Sequence, residues 1–228
     1  MHKSPILTPV NLEIFILEAV MQDAVVGSWA QESYLSPERL GSLHELNHRF
    51  LDLAGARAAE WGITGGGGVS LGLAERVAPL SRTQRSAAAN CPYALFDLRF
   101  EDDRHWLSRL ENVDEWRIAD ESVLGNDTHR FVHMALFYAW HVASGAGLGA
   151  QLLLGMNDST AAAFRRVNMS RLSALAATEA AHLTARWSGC SPYWVALMSA
   201  AARSDPAGLR RVQLYGLQLA AAARLSAF

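Results

Sequence analysis

"SLHELNHRFLDLAG", residues 42–55, supports two readings that lead to different proteins. His44-Glu45-Leu46-Asn47-His48 fits the H-E-x-x-H pattern of zinc peptidases, in which two imidazoles four residues apart on a helix face hold the metal and the glutamate acts as general base. The same residues also belong to a longer helix. Leu43, Leu46, Phe50, Leu53, Arg57 and Trp61 recur at spacings of three and four and build one largely apolar face, and Ser36, Pro37 and Glu38 supply an N-cap, a first-turn proline and a first-turn acid. The metal reading needs a third ligand. Glu60 lies on the same predicted helix, about 18 Å along its axis from His48 at 1.5 Å per residue, and cannot reach. Glu75, beyond the glycine run, stays available. Arg49, directly after the second histidine, is a cation that opposes a bound dication.

Working outward, the pattern is mainly helical. Apolar residues at helical spacing predict an N-terminal helix over 11–30, and further helices are expected over 71–77 and 81–89, the latter with Ser81 as N-cap. Alternation in "YALFDLRF", residues 93–100, predicts a short strand. The second half runs in the same order, with a long helix over 131–154, short ones over 159–166 and 170–178, a strand within "HLTARWS" (182–188), and closing helices over 192–202 and 206–225. Setting Arg99-Phe100 against Arg186-Trp187 matches the preceding segments without gaps back to Leu73 and Thr160. Trp106 then meets Trp194 after a one-residue adjustment. This order reads as a duplication of about 70 residues, two copies of one small helical unit packed as a pseudo-dimer. The expected organisation is a helical extension over 1–35, a first unit over 36–118, and a second unit with its C-terminal helix over 119–228.

At 228 residues, half of them apolar, the chain is long enough to bury a substantial core. A formal charge of −2 provides no global field toward nucleic acid or an anionic membrane. Two separated cysteines, Cys91 and Cys190, are too few for a disulfide framework or a cysteine-based zinc site, which suits a reducing, cytoplasmic setting. Glu13, Glu18 and Asp23 interrupt the N-terminal apolar stretch, so neither a signal peptide nor a membrane span is expected. "TGGGGVS" lacks the lysine and hydroxyl of a phosphate-binding loop and reads as a flexible insertion. His133 and His141 share an apolar helix and could face a cofactor, although core histidines explain them as well. The tryptophans are read as core and interface anchors. No cofactor is called for.

"ELNHRFLDLAGARAAEWGI" followed by "LAERVAPLSRTQRSAAANCPYALFDLRFEDDRHWLSRL" resembles FlhD, the helical subunit of the bacterial flagellar master transcriptional regulator. The matching residues are Glu45, Leu46, Asn47, Phe50, Leu51, Gly62, Ile63, Arg99 and Phe100. The second copy is similar through Gly155, Met156, Leu172, Leu175, Ala176, Arg186 and Trp187. FlhD-like chains are about half as long and dimerise, so this chain resembles that subunit doubled. The resemblance implies a non-enzymatic regulator of flagellar or related gene expression, working through a protein partner, with an FlhC-like subunit as the candidate, and reaching DNA through the complex. It also gives "HELNH" a purpose unrelated to zinc. In solution the expected state is a monomer or a homodimer of pseudo-dimers. Arg165, Arg166 and Arg171 bracket a helix-turn-helix-like segment and are the DNA-contact candidates, as phosphate-positioning residues. The alternative is a zinc-dependent hydrolase using His44, Glu45 and His48.

Overall fold

A computed structural model describes residues 36–56, 71–111, 126–145 and 147–225. The chain divides into two units, Met1–Ser33 and Tyr34–Phe228. The expected helix over 11–30 and the expected boundary at 118/119 lie outside the described residues, as do Gly62, Ile63 and the glycine run. Within Tyr34–Phe228, the described residues are 77% helical and 3% strand.

Local signals set most helix boundaries. Helix α1 (Pro37–Ala56) starts where Ser36 Oγ accepts the Arg39 N–H at 3.3 Å. After α2 (Leu71–Val77), α3 (Arg82–Ala89) opens with a full capping box. Ser81 Oγ accepts the Gln84 N–H at 3.2 Å and Gln84 Oε1 accepts the Ser81 N–H at 2.9 Å, which satisfies two backbone donors that a helix start leaves open. Strand β1 (Phe96–Asp97) leads to α4 (Asp103–Glu111). The second half contains α5 (Asp127–Ser144), α6 (Gly147–Leu154), α7 (Asp158–Arg166), α8 (Met169–Glu179), a single 3₁₀ turn (Ala180–His182), β2 (Thr184–Ala185), α9 (Ser191–Ala202) and α10 (Pro206–Leu225).

Two expectations need correction. The long helix expected over 131–154 begins earlier, at an Asn126 cap, and is broken at Gly145, where the Arg39 guanidinium from α1 lies against the bare face of the glycine. The expected strands shrink to two residues each. Tyr93, Ala94, Leu95, Phe96 and Leu98 are all fully buried, so the segment threads through the core on both faces. It ends where Arg99 adopts a left-handed backbone, φ 58°, as Trp187 does in the second half, φ 53°.

Those paired turns also shift the equivalence read from the sequence. Trp106 Nε1 donates to the Leu98 carbonyl and Trp194 Nε1 to the Arg186 carbonyl, each eight residues back. On the two-copy reading, Arg99 then corresponds to Trp187, and Trp106 to Trp194 with no adjustment. Ahead of the strands, Leu73, Ala74 and Val77 share burial with Thr160, Ala161 and Phe164, one residue closer in offset. On the same reading, the extra residue of the second half falls between Ala176 and β2 and not after the strand.

Both halves share one apolar core. Phe50 of α1, Phe96 of β1 and Phe131 of α5 meet at its centre, with ring centroids 5.0 to 6.2 Å apart. The halves exchange partners: α1 packs on α5, α4 packs on α7, and α9 packs on α2 and α3. Antiparallel pairing of Phe96 with Ala185 and Asp97 with Thr184 joins the two strands through two residue pairs, of the kind a twofold axis generates.

Several of the described residues on which the FlhD resemblance rests are packing residues. Asn47 is fully buried; its Nδ2 donates to the Ala89 and Tyr93 carbonyls at 3.2 and 2.9 Å, and its Oδ1 accepts the Leu95 N–H at 2.8 Å. One side chain thus closes three backbone groups that a buried turn leaves open. Gly155 has φ +75°, and a Cβ there would lie 2.6 Å from Arg186 Nη2. Only glycine fits that turn.

Candidate functional site

Three places gather polar chemistry. The first is the "HELNH" face of α1. Leu43, Leu46, Asn47 and Phe50 point into the core, while His44 and His48 are half-buried beside a cleft of about 1000 Å³ that Asp52, Arg82, Ser86 and Asn90 help to line. The groups a peptidase would need are already engaged. Arg49 Nη2 sits 2.6 Å from Glu45 Oε1, and His48 Nδ1 sits 3.1 Å from Asp52 Oδ2, which also pairs through Oδ1 with Arg85 at 2.8 Å. Burial holds His44 below the usual histidine range, partly offset by a backbone hydrogen bond to Cys91. Among the described residues no third ligand, Glu75 included, joins His44 and His48.

The second place is the turn between α7 and α8. Val167 and Asn168 form the whole connection. The Val167 carbonyl accepts from Trp140 Nε1 at 3.2 Å, which fixes the turn to α5, and Asn168 Oδ1 caps α8 through the Ser170 N–H. Arg165 and Arg166 are exposed in the last turn of α7, and Arg171 is half-buried in the first turn of α8. None of the three forms an ion pair among the described residues. Arg165 and Arg166 complement the negative end of their helix, whereas Arg171 opposes the positive end of its own. Helix stability alone therefore does not account for a cation at that position. The structure brings the three DNA-contact candidates around one turn.

The third place joins residues far apart in sequence. Glu179, fully buried at the end of α8, receives His105 Nε2 of α4 at 2.9 Å on Oε2 and Arg109 Nε at 3.2 Å on Oε1. His182 of the 3₁₀ turn stacks edge-on against His105, with centroids 5.3 Å apart. Sequence reasoning missed this group because His105 belongs to the other half of the chain. The Glu179-Ala180-Ala181-His182 spacing, a carboxylate and an imidazole three residues apart at a helix end, was the available signal.

Other candidates separate. His133 Nε2 lies 2.9 Å from Ser173 Oγ and packs edge-on against Phe137, while His141 is exposed, so the two do not face a common cofactor. Cys91 is buried, its thiol pushed up to about 12 by burial, and is no nucleophile. Cys91 and Cys190 are unpaired with each other. Trp106 and Trp194 are core anchors; Trp140 and Trp187 pack at its margin. No helix among the described residues is long and apolar enough to cross a membrane. Compared with known families, curated proteins and solved structures, the chain matches no family model, no curated protein and no solved structure.

Proposed function

We propose that this chain is a non-enzymatic regulatory subunit of the FlhD-like kind, two units fused in one chain, acting on flagellar or related gene expression through a protein partner, an FlhC-like subunit being the first candidate. The observation that carries the reading is the α7–α8 turn, where Arg165, Arg166 and Arg171 stand without ion-pair partners among the described residues on a helix pair anchored to the core. That arrangement suits phosphate positioning, which fixes a protein on a duplex without reading bases. The reciprocal packing of the halves supports the same reading, because it gives one chain the interface that a single-unit protein obtains by dimerising. The hydrolase alternative is disfavoured by the Arg49–Glu45 pair, which occupies the would-be general base.

With a net charge of −2, the chain alone should bind duplex DNA no tighter than roughly 10⁻⁴ to 10⁻⁶ M at physiological salt, the range of non-specific complexes. Adding an FlhC-like subunit should tighten binding at least about tenfold and place this chain in the complex, measured by fluorescence anisotropy on a labelled duplex with each component omitted in turn. Equal affinity with and without this chain contradicts the reading. So does stoichiometric zinc in untagged protein that is lost in His48→Ala, which favours the hydrolase.

A further inference from the structure

We propose that His105, Glu179 and His182 form a binding site for a divalent transition metal of the zinc class, clasping α4 of the first half to the junction of α8 and β2 in the second. One donor atom from each residue lies within 4.8 Å of the other two. A tetrahedral ion with bonds of about 2.1 Å separates its ligands by about 3.4 Å, so a side-chain adjustment of roughly 1 Å closes the set. The donors are two imidazoles and one carboxylate, a mixture that borderline ions such as Zn²⁺ take, with water completing the fourth position.

A simple ion pair accounts for only part of this arrangement. Arg109 and the Thr178 hydroxyl address Glu179 Oε1, which leaves Oε2 turned toward the histidines. His105 is set by its place in the first turn of α4, where its backbone N–H donates to Asp102 Oδ1 at 3.0 Å, and its ring rests edge-on against Trp106. His182 makes no side-chain hydrogen bond among the described residues, yet the 3₁₀ turn holds its ring against His105. An imidazole held at a buried carboxylate without a hydrogen bond is a ligand in waiting. With metal bound, Arg109 keeps Oε1 and acts as the outer partner that orients the carboxylate. The site differs from "HELNH" in having three convergent donors, of which the carboxylate is fully buried.

Untagged full-length protein, stripped with chelator and dialysed, should take up one Zn²⁺ per chain and, with Co²⁺ as probe, show visible d–d absorption. Zinc at 100 times its dissociation constant should raise the melting temperature by about 5–10 °C. His182→Gln should weaken uptake by about 100-fold with an unchanged circular dichroism spectrum, while His48→Ala leaves uptake intact. Should His182→Gln fail to fold, carbethoxylation of the wild-type chain gives the same answer, since zinc should protect His105 and His182 and leave His44 and His48 reactive. Absence of binding up to about 100 µM metal, or protection and loss that follow His44 and His48 instead, overturns the assignment.

Discussion

Residues 1–118 expressed alone should give insoluble or aggregated protein, and residues 119–228 should fare no better. Each half places its last helices on the other: α4 rests on α7, and α9 covers α2 and α3. Cutting the chain exposes those faces together with Phe96, whose ring packs against Phe131 of the second half at 5.0 Å. Backbone groups are stranded too, since the Ala94 N–H donates to the Leu153 carbonyl at 2.7 Å and the Arg186 N–H to the Leu95 carbonyl at 3.0 Å. Exposed apolar surface and unpaired backbone in a chain of this size drive association. Size-exclusion chromatography with light scattering checks this directly. A monodisperse, folded monomer of 1–118 would remove the case for a pseudo-dimer, whereas recovery of a one-to-one complex when both fragments are co-expressed would strengthen it.

The largest single-residue loss is expected at Arg186. The residue is buried, 5% exposed; its guanidinium donates from Nη1 to the Leu153 carbonyl at 3.2 Å and lies 4.7 Å over the Trp187 ring. Burial lowers its pKa from the usual value, opposed by the nearby carboxylates of Asp97 and Glu101. Asp97 is in turn raised by burial and held back by the Phe100 N–H and by Arg186. Arg186→Leu removes the cation and leaves the carboxylate and the Leu153 carbonyl without it, a change that costs about 3–5 kcal/mol. With a slope of about 2 kcal/mol per molar urea, the unfolding midpoint should fall by about 2 M. The sign of the pH effect follows from Asp97. In the variant its folded pKa rises further above the unfolded value, so the native state binds more protons there and loses stability as pH climbs through that window. The deficit should therefore be larger at pH 7 than at pH 4, and Asp97→Asn in the same chain should recover part of it. A flat pH dependence would show that Asp97 and Arg186 are not coupled.

What the sequence made legible was local. Ser36 and Ser81 announced their helices because a cap needs only residues three apart, and α10 follows its expected bounds because the proline and apolar spacing that define it are contiguous. The break at Gly145 was hidden, since the residue packed against it, Arg39, lies far away in sequence, on α1. Strand lengths were overestimated for a related reason. Alternation in 93–100 suggested a longer strand, but Tyr93, Ala94, Leu95, Phe96 and Leu98 are all buried whichever way they alternate, and left-handed turns at Arg99 and Trp187 stop the pairing. Shared Arg-aromatic pairs suggested one equivalence between the halves; backbone conformation and the two tryptophan hydrogen bonds give another, one residue away.

The sites divide in the same way. The arginine turn was readable because all three residues fall within seven positions of one another, and the structure sets them on adjoining helix ends. His105 and Glu179, 74 residues apart, meet only because the halves exchange helices. "HELNH" was legible as a motif from sequence alone, whereas the partners of its polar groups, the Arg49–Glu45 and His48–Asp52 pairs between successive helical turns, are seen only in the structure.

The salt dependence of DNA binding by the complex of this chain with its partner subunit tests the functional reading most directly. Each phosphate contact releases about 0.9 counterion, so changing Arg165, Arg166 and Arg171 together to alanine should flatten the slope of log affinity against log salt by about 2.7 and weaken binding alike on specific and unrelated duplexes. An unchanged slope would contradict the account, leaving the three arginines as a solvated face and the chain as a scaffold whose partner makes every contact with the duplex.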